Sequence, residues 1–532
     1  MSGAKEKGRK EILPLLALGL VALGVLLRFY RLGLVPYGLH QDEASIGYDA
    51  FLLWTSGVDR NGYPWPVYPV TWGSGGGSPL MIYLAVITTA LFGKNPFSLR
   101  LSCALLGALT LPVFYELLRR GKDDRAGLAG LFLLTVSPWG ILLSRWCLDG
   151  NVLPFFLALA MLFFLRGAQT QKTWRYLCAA AFFGLTLYCY GSTTLVIPLF
   201  LLGMAWLLRK RGLLSWKQLA LSVAVFLAVA LPLLVFYLVN FLSLPEIVTP
   251  WFSVPHLTAK RALFYPLDAE LPGHMWESFR YMLRFFTIGS KDTEIICTQV
   301  PGFGLLYRFT FPLTALGVAA VIRKRDLLSE MFLLLAALSV AFSLFIELDN
   351  SRMVLFMLPL LYLEARGLLW LWERYKPAGA ACAALLCCAL LLFCRDYFGS
   401  RYAEASAEGF MAGYADAVAY ADSIVKEGRT VYSTYEHVAA PFMVALYATG
   451  TPGEAFRETV VYRDAAAEFR IATSFTHFVF GLPEDIRDEK YREDVLVLWS
   501  GETEAYEAYD LVQFGDYAVA VPAPDNSPRH KE

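Results

Sequence analysis

Charge is scarce in this 532-residue chain. Asp, Glu, Lys and Arg make up 17% of it, against 57% hydrophobic residues, and the mean hydropathy is +0.48. A soluble protein of this length is excluded by that balance. Cysteine builds no framework: most of the nine cysteines (Cys103, Cys178, Cys189, Cys382, Cys387 and Cys388) fall inside apolar runs, where a thiol acts as a small hydrophobe. Only Cys147 and Cys297 lie outside such runs in expected outer loops. No Cys/His spacing of the zinc type occurs, which excludes a structural zinc module. The glycine-rich stretch from Gly73 to Pro79 lacks the spacing of a phosphate-cradling or dinucleotide-binding loop, and reads as a flexible gate or linker. No small-residue cleavage site follows the first apolar stretch, where Arg28 to Tyr30 stand instead, so a retained helix is expected there.

What is present is a recurring run of roughly 20 apolar residues, the length that crosses a bilayer core. Eleven spans are expected, at 12–27, 99–118, 126–143, 152–166, 175–190, 193–208, 218–241, 304–322, 329–346, 353–372 and 378–394. Alternate connections are basic: Arg119 to Lys122, Lys172 to Arg175, Arg209 to Arg211, Arg323 to Arg325, and Arg374 with Lys376. Basic loops stay in the cytoplasm, so the N-terminus is expected inside and the C-terminus outside. Pro79 to Phe92 is apolar over only 14 residues; it is expected to be re-entrant or interfacial.

Zero net charge conceals a split. Residues 395–532 hold 12 Lys/Arg and 24 Asp/Glu, and residues 1–394 hold 34 and 22. Two domains follow: a transmembrane part at 1–394 and an extracytoplasmic tail at 395–532. In the tail, 430–435, 477–480, 495–499 and 517–521 read as buried strands among helical stretches, a small α/β domain. No nucleic-acid partner is expected; membrane lipids are.

Within this frame few side chains can carry chemistry. Asp42 and Glu43 stand together at the start of a helical stretch whose apolar face is Ile46, Ala50, Leu53 and Trp54, and the stretch reads as an amphipathic helix on the membrane surface. Asp42 fits a helix N-cap. A second acid beside it adds the alternatives of a general base or a cation site. Asp149 sits in a very short outer loop with Arg145 and Trp146, where a turn acid and a functional acid are equally good readings. Arg100, Arg308 and Arg352 each lie near the outer end of a different span. Each alone reaches to headgroups; together they could hold a phosphate or pyrophosphate at membrane depth.

An ordered set of short motifs carries a resemblance. It comprises Asp42-Glu43, the run from Gly57 to Gly62 with Pro64, Ser78-Pro79-Leu80 with Tyr83, Phe92 to Leu101, Ser137-Pro138, Ser144-Arg145 with Asp149, and Arg352 with Pro359. Over about residues 12–165 the chain resembles the GT-C glycosyltransferases that use lipid-linked sugars, in particular the bacterial branch related to protein O-mannosyltransferases and aminoarabinose transferases. The resemblance implies an α-helical polytopic membrane protein of GT-C type, with Asp42 as catalytic aspartate, Glu43 as its partner, Asp149 as the second outer-loop acid, and Arg100 and Arg352 as lipid-phosphate contacts. The aminoarabinose branch has a lysine shortly before the Ser-Pro-like segment; this chain has none between Lys10 and Lys94.

The expected activity is therefore transfer of a hexose from a polyprenyl-phosphate donor to a hydroxyl on a lipid, glycan or protein acceptor. Asp42 is the expected base and Arg308 joins Arg100 and Arg352 in holding phosphate. Asp42, Glu43 and Asp149 are also the set that could hold a divalent metal ion. The alternative is a lipid-linked-sugar flippase or transporter without glycosyl transfer.

Overall fold

The computed structural model describes residues 2–75, 77–259, 264–287, 296–483, 491, 493–506 and 509–521. Gly76 of the glycine-rich stretch lies outside them. The chain divides into two compact units. One comprises Met1–Leu32, Arg100–Leu234 and Ala262–Tyr402; the other comprises Gly33–Leu99, Val235–Arg261 and Ala403–Glu532.

Seven helices among the described residues are long and apolar enough to cross a membrane: Ile12–Phe29, Pro96–Gly121, Leu153–Thr170, Thr193–Lys210, Trp216–Phe241, Ser351–Arg374 and Lys376–Tyr397. All seven coincide with expected spans. At the other four positions stand the shorter helices Asp124–Val136, Thr173–Thr186, Phe311–Arg323 and Leu327–Ser343. Local chemistry explains the first. Pro138 cannot continue the preceding helix, and Ser137 instead caps a new short one at Pro138–Leu142 through its hydroxyl.

The first unit is held by close helix contacts and by buried arginines. Phe311–Arg323 crosses Met357–Arg374 at two glycines. A Cβ on Gly317 would stand 1.8 Å from the Leu363 carbonyl oxygen, and one on Gly367 would stand 1.9 Å from that of Leu313. Only glycine permits that approach. Arg145 donates through Nη1 to the carbonyls of Leu27 and Arg28 and through Nε to Tyr397 Oη. It thereby caps the C-terminal end of the first helix, where carbonyls lack partners. Glu364 is buried midway along Met357–Arg374 and accepts from Thr310 Oγ1.

In the second unit a seven-stranded sheet runs in the order β4-β5-β6-β3-β7-β9-β8. Its strands are β3 (Val431–Ser433), β4 (Val461–Tyr462), β5 (Ala472–Phe475), β6 (Phe478–Phe480), β7 (Val495–Trp499), β8 (Asp510–Phe514) and β9 (Tyr517–Val521); a separate hairpin joins β1 (Ile247–Val248) and β2 (Ser253–Val254). β3 lies parallel between β6 and β7, and the remaining pairs are antiparallel. The four strands read from the sequence are the buried inner ones, β3, β6, β7 and β9. The unread ones are β4, β5 and β8. β4 and β8 close the two edges and are largely exposed, so their residues lack the apolar run that marks a strand covered on both faces.

Helix Gln41–Ser56 packs on helix Pro441–Thr449 in this unit. Tyr48 Oη donates to the Thr451 carbonyl at 2.9 Å, and a Cβ on Gly47 would meet the Tyr447 ring at 2.6 Å. Lys94 Nζ donates to the carbonyls of Tyr447 and Ala448, at the end of that second helix where unpaired carbonyls favour a cation. Burial lowers the Lys94 pKa to about 8. Residues 33–99 thus share their core with residues beyond Tyr402.

Candidate active site

Helix Gln41–Ser56 is capped by His40, not by Asp42. The His40 backbone is extended, its Nδ1 accepts from the Asp42 N–H at 3.1 Å, and Glu43 Oε2 accepts from the His40 N–H at 3.4 Å. That is a capping box with histidine in the serine position. Asp42 therefore stands at the second helical position, where a negative charge suits the helix dipole but no cap is required of it. Its carboxylate is about one-third exposed and 3.6 Å from His40 Nδ1. Since Nδ1 already accepts the hydrogen bond of the Asp42 N–H, it has no hydrogen to give the carboxylate. Glu43 is fully buried.

The expected surface helix is packed on its polar side as well as its apolar one. Ile46, Ala50 and Leu53 are buried, Ser45 and Asp49 are 2% and 1% exposed, and of the expected apolar face Trp54 is exposed. The chain turns back to cause this. Gly57 closes the helix at φ 74, a left-handed conformation natural to glycine, and Asp59 Oδ1 accepts from the N–H groups of Asn61 and Tyr63. The turn delivers Arg60 onto the helix. Its Nε donates to Asp49 Oδ1 at 2.9 Å and its Nη2 to Asp49 Oδ2 at 2.8 Å, a two-pronged pairing. Burial works against the Arg60 charge, but Asp49 opposite keeps the guanidinium pKa above its ordinary value.

Asp59 is the odd member of this cluster. It is fully buried, and its Oδ2 has no hydrogen-bond partner among the described residues. Burial first, and then the Asp49 charge, push its carboxyl up to about 7 against the opposing Tyr63 N–H bond and Arg60 charge.

In the other unit the structure brings Asp149 and Arg352 to one place. Gly150 (φ +85) donates its N–H to the Cys189 carbonyl, and its α-carbon faces the Tyr190 ring and Val354. Tyr190 has Asp349, Arg352 and Asp149 as charged neighbours. Arg352 is engaged on its own element: Nε lies 3.0 Å from Asp349 Oδ2, and Nη1 donates to the Glu347 carbonyl. Arg100 is fully buried near the start of helix Pro96–Gly121. Arg308 is not one turn into a helix as expected. It opens the 3-10 turn Arg308–Thr310 ahead of Phe311–Arg323, because Tyr307 is still extended, and it is exposed.

Sequence reasoning gave no role to Asp49, Asp59 or Arg60. The stripe Asp42–Ser45–Asp49 was legible at helical spacing, but the cation that meets it comes from a turn beyond the helix. Among the described residues no three His, Cys, Asp or Glu side chains are gathered to hold a metal ion. Chemically, the second unit offers an accessible carboxylate at a helix start with no hydrogen bond among the described residues, and the first offers a paired arginine with the loop acid Asp149 near the same tyrosine.

Residues 76–236 match the sequence model of the dolichyl-phosphate-mannose-protein mannosyltransferase family; this stretch includes Arg100 and Asp149 and begins after the acid pair. No curated protein matches the chain by sequence. Among solved structures, ArnT from Cupriavidus metallidurans bound to undecaprenyl phosphate superimposes with a TM-score of 0.58 at 14% identity, over 96% of this chain and 98% of that one. The apo form of ArnT gives 0.59 at 15%, over 95% and 97%. The archaeal oligosaccharyltransferase AglB from Archaeoglobus fulgidus, in complex with an inhibitory peptide and a dolichol-phosphate, gives 0.51 at 14%, over 83% of this chain and 64% of that one. The chain is a multi-pass membrane protein with the fold of the GT-C glycosyltransferases, and the resemblance read from its motifs holds.

Proposed function

We propose that this protein transfers a sugar from a polyprenyl-phosphate donor to an acceptor hydroxyl at the outer membrane face, with inversion at the anomeric carbon. The observation that carries this reading is the Asp42 carboxylate: with His40 and Glu43 forming the cap, it is left accessible and without a hydrogen bond among the described residues. A base needs that freedom.

Asp42 takes the proton of the acceptor hydroxyl as its oxygen bonds to the anomeric carbon. The bond from that carbon to the phosphate oxygen breaks, and its electron pair leaves with the polyprenyl phosphate. That phosphate departs well at neutral pH, so no general acid is needed; positive charge is needed where the anion forms. Arg100, Arg308 and Arg352 supply it, and Glu43 and Asp149 orient. The N-terminus is cytoplasmic, and the 395–532 region is extracytoplasmic.

Asp42→Asn is the test, because Asn keeps shape and helix-start compatibility and loses only basicity. With purified protein in liposomes and radiolabelled donor, transfer is expected to fall by about 10²–10⁴-fold with unchanged melting. Near-normal transfer would move the base elsewhere. Donor movement across the bilayer without transfer in the wild type would favour the transporter reading.

A further inference from the structure

We propose that Arg60 is a positioning residue for the acid pair: it sets the rotation of helix Gln41–Ser56, and so the direction in which Asp42 and Glu43 are presented. This rests on the transferase reading.

Asp42, Ser45 and Asp49 lie at i, i+3 and i+7, one stripe along the helix. Arg60 grips the two lower members of that stripe and nothing above them. Its Nη2 reaches the Ser45 carbonyl at 2.5 Å and the Ser45 hydroxyl at 2.9 Å, and both prongs engage Asp49. The Arg60 backbone N–H adds a bond to Asp49 Oδ1 at 3.2 Å. Nη1 points away, to Met443 Sδ in helix Pro441–Thr449, and the guanidinium stands over the Tyr48 ring, 5.7 Å from its centroid. One planar group therefore fixes the helix to its own turn and to the neighbouring helix at once.

Apolar contacts tolerate rotation and sliding of a helix. A planar fork on a carboxylate tolerates neither, since its two bonds define both axis and distance. A buried ion pair adds little net stability over apolar packing of the same volume. What it supplies here is direction. Ser45 is one turn from Asp42, so a rotation that breaks the Ser45 bonds swings the Asp42 carboxylate with it, and a misplacement of about 1 Å can cost a hundredfold in rate.

Arg60→Lys keeps the charge and removes the fork. Three readouts are taken on the full-length protein in liposomes: kcat and KM for the polyprenyl donor, thermal melting, and hydrogen exchange of the segment spanning residues 40–48. The expected result is a loss in kcat of about a hundredfold, donor KM within about twofold, near-normal melting, and faster exchange at 40–48. Asp49→Asn, which keeps the volume and one acceptor, is expected to reproduce the pattern more weakly, and it decides the matter if Arg60→Lys does not fold. Unchanged kcat and exchange overturn the proposal. So does a parallel fall in kcat, donor affinity and melting temperature, the signature of a merely structural pair. If the wild type transfers no sugar, the transferase reading fails by itself, and unchanged exchange at 40–48 in the variants then still overturns the positioning role.

Discussion

His40 Nδ1 lies 3.1 Å from the backbone nitrogen of Asp42, and the direction of that bond decides what Asp42 can do. The imidazole accepts, so it caps the helix and leaves the carboxylate of Asp42 without a hydrogen bond among the described residues. Removing the acceptor in His40→Ala should cost about 1 kcal/mol in stability, the usual value of a lost N-cap, and should lower transfer by loosening the turn that holds the acids. His40→Asn, a good cap, should restore both. Urea melts and initial rates on the two variants check this; equal stability of His40→Ala and wild type would show that His40 does not hold the helix start.

Arg352 is prepaired with Asp349 and Glu347, so a donor phosphate must compete for it. Arg352→Lys keeps charge and loses the two-pronged grip; apparent donor affinity should weaken severalfold with a smaller loss of maximal rate, and Arg352→Ala should lose both. Donor titration on variants of equal stability is the measurement. Unchanged donor dependence in Arg352→Ala would remove this residue from the phosphate clamp.

Asp59 makes stability depend on pH in a stated direction. Its folded pKa is about 7, against an ordinary value of 3.8, so the folded state keeps a proton that the unfolded chain releases. Its contribution is fully present below about pH 4 and is lost as pH rises towards 7. Asp59→Asn keeps the carbonyl that accepts from Asn61 and Tyr63 and cannot titrate. Melting of wild type across pH 5 to 8 should slope downward more steeply than melting of Asp59→Asn. Parallel curves would mean that Asp59 is not the group responsible.

Gly317 and Gly367 set the approach of two helices through backbone contact. Gly317→Ala should destabilise by at least the roughly 1–3 kcal/mol typical of overpacking, because the new methyl meets a carbonyl that cannot rotate away. Gly19→Ala is the control, since nothing lies within 4 Å of a Cβ there. Thermal melting in detergent compares them, and equal melting of Gly317→Ala and Gly19→Ala would refute the close crossing.

The membrane class, seven long helices, the inner strands of the sheet and the residues flanking the candidate site can all be read from the chain alone. These are written in local composition: a run of apolar residues reports burial wherever it sits, and an acid pair before an apolar stripe reports a helix start. Local rules also gave Asp42 the cap, because aspartate is favoured there. They could not see that His40 takes it, since His40 and Glu43 close a reciprocal pair of bonds that leaves Asp42 at the second helical position. It takes the folded chain to bring the loop 33–99 together with the chain beyond Tyr402, and to set Ser45 and Asp49, the lower part of the polar stripe, against Arg60 instead of water. Contacts of that kind join residues that are distant along the chain or lie beyond a turn, and their energy depends on which groups are desolvated together. No window of sequence contains that information.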